Sequence, residues 1–159
     1  MNDEEDDYRI YMTICDKLAK NEMTQYEVSN FARKGFECVH NKSYWERVNY
    51  LGFGISAHSL VNEKRYSNIS DISQYCSLIE ADIMPINEYE ILTEEQIYEE
   101  KILLGLRSNG VILDIFDVQR KKIINDIISK GFGEIKNNKF VLNAKDKFIC
   151  DEITLKLLC

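Results

Sequence analysis

Residues 93–158 carry the punctuation that most narrows the fold. Thr93-Glu94-Glu95-Gln96 is a capping box, in which a threonine and a glutamine three residues on satisfy backbone N–H groups at a helix start. The helix it opens is expected to reach about Arg107, where Asn109-Gly110 supplies a left-handed stop. Ile123, Ile124, Ile127 and Ile128 then share one face of a second helix, which Gly131 closes. Glu134–Lys136 and Lys139–Leu142 flank Asn137-Asn138, a two-residue hairpin turn. Asn143 caps a last helix carrying Phe148, Ile149, Ile153 and Leu157. Helix, helix, hairpin, helix predicts a winged-helix-like domain, with the final helix placed after the wing.

Upstream the pattern is looser. Residues 3–20 read as an amphipathic helix with Tyr8, Tyr11, Ile14, Cys15 and Leu18 on one stripe. The acidic run Asn2-Asp3-Glu4-Glu5-Asp6-Asp7 suits the positive end of that helix. Thr24–Ser29 is a short strand candidate. Residues 30–69 show no helical period and read as ordered loop with short strands, a length that points to function or to a missing neighbour. Ser70 is expected to cap a helix bearing Ile72, Tyr75, Cys76 and Ile79, which ends before Pro85, the only proline. A boundary is expected between residues 85 and 93. No internal repeat or low-complexity linker interrupts the chain.

With 159 residues the chain suits one domain or two small ones. A net charge of −7 weighs against sequence-independent nucleic-acid binding, which needs an excess of Lys and Arg. No apolar run approaches the roughly 20 residues of a membrane span, and the acidic start is the opposite of a signal peptide's. The expected setting is cytoplasmic. The five cysteines (Cys15, Cys38, Cys76, Cys150 and Cys159) lie at no metal-ligand spacing and read as free thiols, mostly buried.

The chemistry is concentrated in His40-Asn41-Lys42-Ser43-Tyr44-Trp45 and, shortly after, Gly52-Phe53-Gly54-Ile55-Ser56-Ala57-His58-Ser59. A neutral imidazole ligates iron, aromatic faces cover a flat ring, and glycines let backbone approach a ligand. These residues suggest a site for a large planar molecule. Read alone, they are more simply an aromatic anchor for a long loop and a tight turn between strands. His58 is a second candidate ligand, although a partly buried structural histidine is the simpler reading.

The same strings resemble the radical S-adenosylmethionine family of oxygen-independent coproporphyrinogen III oxidase-like proteins, in its C-terminal part. Tyr26-Glu27-Val28-Ser29-Asn30-Phe31-Ala32-Arg33 looks like the family's last barrel strand and following loop. Gly35–Asn41 leads into the H-N-x-x-Y-W motif, Tyr50–Gly54 into the glycine loop, and Leu104–Val111 resembles the start of the C-terminal domain. His40 to Trp45 points to the haem chaperone branch, whereas Ser56, where chaperones usually carry Gly, is closer to the oxidase. Lys34 stands where the family usually has Pro. The family's C-x-x-x-C-x-x-C triplet, which holds a [4Fe–4S] cluster, is absent, and thiolates are what hold such clusters.

The resemblance implies an α+β fold: residues 1–30 as the last helix and strand of a partial TIM barrel, 31–92 as a connecting segment, 93–159 as the winged-helix-like domain. It implies a fragment that contributes to haem or porphyrin binding and closes the radical site, chaperone before oxidase, with no catalytic residue of its own. His40 would contact haem, as an axial iron ligand, oriented by Asn41 and flanked by Tyr44 and Trp45. Gly52, Gly54, Ser56 and Ala57 would lie near S-adenosylmethionine, a cofactor expected, with the cluster, only in the longer family member. The implied partners are a tetrapyrrole, the missing barrel half or another protein, and a second copy of the chain. The alternative is a winged-helix adaptor for protein or nucleic acid, using Arg120, Lys121, Lys122, Lys130, Lys136 and Lys139, although Asp117, Asp126 and Glu134 interrupt that patch.

Overall fold

A computed structural model describes residues 4–159. Asn2 and Asp3, read above as part of the acidic helix start, lie outside the described residues. The elements begin with α1 (Glu4–Ala19), β1 (Thr24–Gln25), β2 (Phe31–Ala32) and α2 (Val39–Trp45). Next come β3 (His58–Val61), β4 (Lys64–Asn68), α3 (Ile72–Glu80), β5 (Ile86–Ile91) and α4 (Glu94–Arg107). The rest is β6 (Val111–Ile112), α5 (Val118–Ser129), β7 (Gly133–Lys136), β8 (Lys139–Leu142), a 3-10 turn (Ala144–Ile149) and α6 (Cys150–Leu158). The protein therefore mixes helices with small antiparallel sheets. Two compact units result: one takes the chain up to Glu46 and again Tyr98–Cys159, the other Arg47–Ile97.

In the first unit β8 is the central strand of a sheet ordered β6-β8-β7, with Ile135 opposite Phe140. Along β8 burial alternates, Phe140 and Leu142 inward and Lys139 and Val141 less so, as strand geometry requires. Phe140 is fully buried among Ile102 and Leu106 of α4, Ile124 and Ile127 of α5, and Ile153 and Leu157 of α6. Full burial of each such side chain stabilises the fold by about 1.5–3 kcal/mol. At the hairpin tip Asn137 and Asn138 have φ of 49° and 60°, the left-handed pair a type I′ turn demands and asparagine tolerates.

Asp117 caps α5, accepting the Arg120 N–H at 2.7 Å while its other oxygen pairs with the Arg120 guanidinium at 2.7 Å. The bond from the Arg120 amide is the main cause that holds this carboxyl below its usual range. The N-terminal segment joins the same unit. The Val28 N–H donates to the Arg107 carbonyl at 3.0 Å, and the rings of Tyr8 and Tyr11 lie 5.5 and 5.3 Å from Phe148.

The second unit is an antiparallel sheet ordered β3-β4-β5, with a register irregularity between Ser67 and Asn68. Asp71, rather than the expected Ser70, caps α3 by accepting the Gln74 N–H at 2.7 Å. Its carboxylate accepts as Ser would and also suits the positive helix end.

Several local expectations need amending. Val39–Trp45 is helical although residues 30–69 show no helical period, because fewer than two turns leave too little sequence for a period. The strand expected over Thr24–Ser29 is paired only at Thr24–Gln25. Along α1, Tyr8 and Ile14 are exposed while Tyr11, Cys15 and Leu18 are partly buried. Asn143 does not cap the last helix with its side chain; its Nδ2 donates to Gly131 and Asp146 oxygens at 2.8 and 2.7 Å, and α6 starts only at Cys150. The capping box holds as read, with Thr93 Oγ1 accepting from Gln96 N–H and Gln96 Oε1 from Thr93 N–H. Among the described residues, no helix is long and apolar enough to cross a membrane.

Candidate functional site

Helix α2 presents the histidine. His40 and Tyr44 are four residues apart, which puts them on one helical face, and both are exposed. Ahead of them Phe36 and Val39 are 81% and 77% exposed, unusual for apolar side chains this close together in sequence. Trp45 is partly buried, and its ring meets Tyr44 edge-on at 5.6 Å and 86°. Its indole Nε1–H is buried without a hydrogen-bond acceptor among the described residues. Such an orphaned donor has given up water and gained nothing in return. Asn41, expected to orient His40, instead donates from Nδ2 to the Tyr26 hydroxyl at 3.4 Å. No described residue hydrogen-bonds the His40 imidazole, so its nitrogens are open to a ligand.

The glycine loop belongs to the second unit and is internally tied. The Gly52 N–H donates to Ser59 Oγ at 2.9 Å, and the Gly54 N–H to the Tyr75 hydroxyl at 3.0 Å. Asn68 Nδ2 closes the loop from the other side, donating to the Gly52 and Gly54 carbonyls at 3.2 and 2.8 Å. A Cβ at residue 52 would run into the His58 carbonyl oxygen, and Gly54 sits at φ 100°. Both positions therefore demand glycine for the turn itself. Ser56 adopts φ 54°, and its N–H donates to the Ile69 carbonyl at 3.1 Å. Ala57 accepts the Asn68 N–H at 2.9 Å.

Three side chains clamp this loop: Asn68, which sequence reasoning passed over, and Ser59 and Tyr75, which it named without giving them this role. Only an asparagine inside a strand-forming run hinted at the clamp. Beside the loop, Leu51, Phe53, Tyr66, Tyr75, Ile79 and Ile83 help line a groove of about 280 Å³. Phe53 is 84% exposed. His58 is exposed on β3 and helps line a cavity of about 290 Å³ with Glu88 and Glu90, the latter paired with Arg65 at 3.0 Å.

Arg120, a candidate for nucleic-acid contact, is engaged locally by Asp117 and by the Leu157 carbonyl, to which its Nε donates at 2.8 Å. Among the described residues no group of three or more His, Cys, Asp or Glu is placed to hold a metal ion. The described residues therefore offer no thiolate set for a [4Fe–4S] cluster. For a tetrapyrrole the fit is better. An open imidazole and an exposed tyrosine share one helix face, and an unsatisfied indole N–H follows directly.

No family model matches the chain. It is similar to the haem chaperone HemW of Bacillus subtilis, 31% identical over 160 residues, covering 94% of this chain and 42% of the relative. The Lactococcus lactis haem chaperone HemW is 34% identical over 139 residues, 87% of this chain and 36% of that protein. The chain thus spans about two fifths of the length of these curated relatives. In fold it matches Escherichia coli coproporphyrinogen III oxidase (HemN), a radical SAM enzyme, with a TM-score of 0.68 at 13% identity. That match covers 98% of this chain and 42% of the oxidase. Across nearly its whole length, then, the chain is HemW-like in sequence and coproporphyrinogen III oxidase-like in fold, and corresponds to the C-terminal portion of such proteins.

Proposed function

We propose that this chain handles a tetrapyrrole, as the C-terminal portion of a haem-chaperone-like protein, with His40 as the iron ligand. The observation that carries the reading is the α2 face, where the unpartnered imidazole of His40 and the exposed ring of Tyr44 stand one helical turn apart. A neutral imidazole nitrogen would donate its lone pair to iron, and Tyr44 would cover part of the ring. The buried Trp45 N–H would find an acceptor in a propionate or an ordered water. Bound haem supplies the iron and the flat apolar surface; the chain supplies the ligand, the aromatic wall and the exposed apolar side chains beside it.

Within this reading residues 1–30 are the last helix and strand of a barrel, and 31–92 connect it to a winged-helix-like domain over 93–159. The β6-β8-β7 sheet, its Asn137-Asn138 tip and the adjacent helices support the last assignment. The cluster and S-adenosylmethionine belong to a longer family member. The internal bonding of Gly52 and Gly54 supports a structural turn more than an amide cradle for that cofactor. The local engagement of Arg120 weighs against a nucleic-acid role. A cytoplasmic setting agrees with the acidic composition.

A hemin titration followed by the Soret band tests the reading. Saturable binding that His40→Ala weakens by at least about tenfold, the equivalent of ~1.4 kcal/mol, is expected. Absent binding, or binding indifferent to His40, overturns it.

A further inference from the structure

Three lysines line one cavity of the first unit, about 460 Å³ in volume. Lys136 and Lys139 come from the β7–β8 hairpin, and Lys147 from the 3-10 turn before α6. Ser108 and Asn109, in the turn after α4, contribute to the wall. Lys147 is 5% exposed, and its Nζ donates to the Ser108 carbonyl at 3.1 Å.

None of the three ammonium groups has an ion-pair partner among the described residues. Glu27, 1% exposed, acts on Lys147 only from beyond ion-pair distance, and its Oε1 accepts the Ser29 N–H at 2.9 Å. Burial outweighs that carboxylate and pushes the Lys147 ammonium below its usual proton affinity. A lysine ordinarily keeps its charged head in water while its stem covers apolar surface. Lys147 does not, and a buried charge without a paired counter-charge is costly. On a chain of net charge −7, three unpaired lysines around one cavity are a local reversal of sign.

The volume falls in the range of ligand pockets and exceeds what a single inorganic ion fills. Lysine ammonium groups serve as point charges for phosphate and carboxylate oxygens, and each bond to a charged oxygen is stronger than a neutral one. We propose that this cavity binds a small polyanion with at least two charged oxyanion groups, held between Lys147 and the hairpin lysines Lys136 and Lys139. The site rests on none of the residues invoked for tetrapyrrole binding.

Calorimetric titration of the purified chain with pyrophosphate, and separately with citrate, tests it. Saturable binding of either anion is expected: pyrophosphate would identify a phosphorylated ligand, citrate alone a polycarboxylate. Lys147→Met should abolish the heat. The double variant Lys136→Gln/Lys139→Gln should weaken binding by about tenfold or more with an unchanged thermal midpoint. If Lys147→Met does not fold, the hairpin double variant decides. No saturable heat with either anion, or binding indifferent to the hairpin lysines, overturns the proposal.

Discussion

The two units are stabilised by different chemistry. In the first, a continuous set of apolar side chains from α4, α5, α6 and the β6-β8-β7 sheet is buried, with Ile102, Phe140 and Leu157 at 0% exposure. In the second, the buried hydrophobics are Leu60, Ile69 and Leu92, and three polar residues (Ser59, Ser67 and Asn68) are buried beside them. Its larger apolar side chains, among them Phe53, Ile72, Met84 and Ile91, face outward. A segment this short buries little surface of its own, so directed hydrogen bonds take over part of the work of packing. The exposed side chains then form a surface suited to being covered.

The sharpest way to break the comparison is to remove the centre of each unit. Phe140→Ala should lower unfolding free energy by about 3–5 kcal/mol in chemical denaturation, because its cavity is closed on all sides. Asn68→Ala should lose less, about 1–3 kcal/mol, from two carbonyls left without their donor. Its effect should be local, with amide exchange accelerating at Gly52 and Gly54. Equal losses from the two substitutions would mean that the second unit owes as much to side-chain packing as the first.

The smallest effect concerns charge in the first unit. The Asp117 carboxyl is held below its ordinary range, so its contribution is present above that range and lost as pH falls through the lowered value. Asp117→Asn keeps an acceptor for the Arg120 N–H but removes the charge. The thermal midpoint at neutral pH should change little, and its decline on the acid side should become shallower. An unchanged acid limb would remove this group from the account.

Legibility in the sequence followed the same division. Between residues 93 and 142 local chemistry and final structure agree: the Thr93–Gln96 box, the Asn137-Asn138 turn and the isoleucine face of α5 each specify their element through neighbours in the chain, whereas the cap expected at Asn143 did not form. The HemW-like resemblance was likewise readable from short strings. Helix α2 was hidden because seven residues carry no usable period. The clamp on the glycine loop was hidden because Asn68 lies 16 and 14 residues along the chain from the Gly52 and Gly54 carbonyls it meets. The burial of Lys147 had no local signal either, since the elements that enclose it are remote in sequence. His40 and Tyr44 were legible as chemistry, and their shared helical face was not.

Trp45 is the only tryptophan among nine tyrosines, and it adjoins the helix face assigned to the tetrapyrrole. Red-edge excitation would therefore make this chain a single-lamp protein, its emission arising from the end of α2 alone. A porphyrin or haem absorbing nearby would accept that excitation and darken the lamp, whereas an anion in the lysine-lined cavity, having no absorption there, would take up none of it. The one indole thus provides an optical label, already in place, for telling one bound molecule from the other.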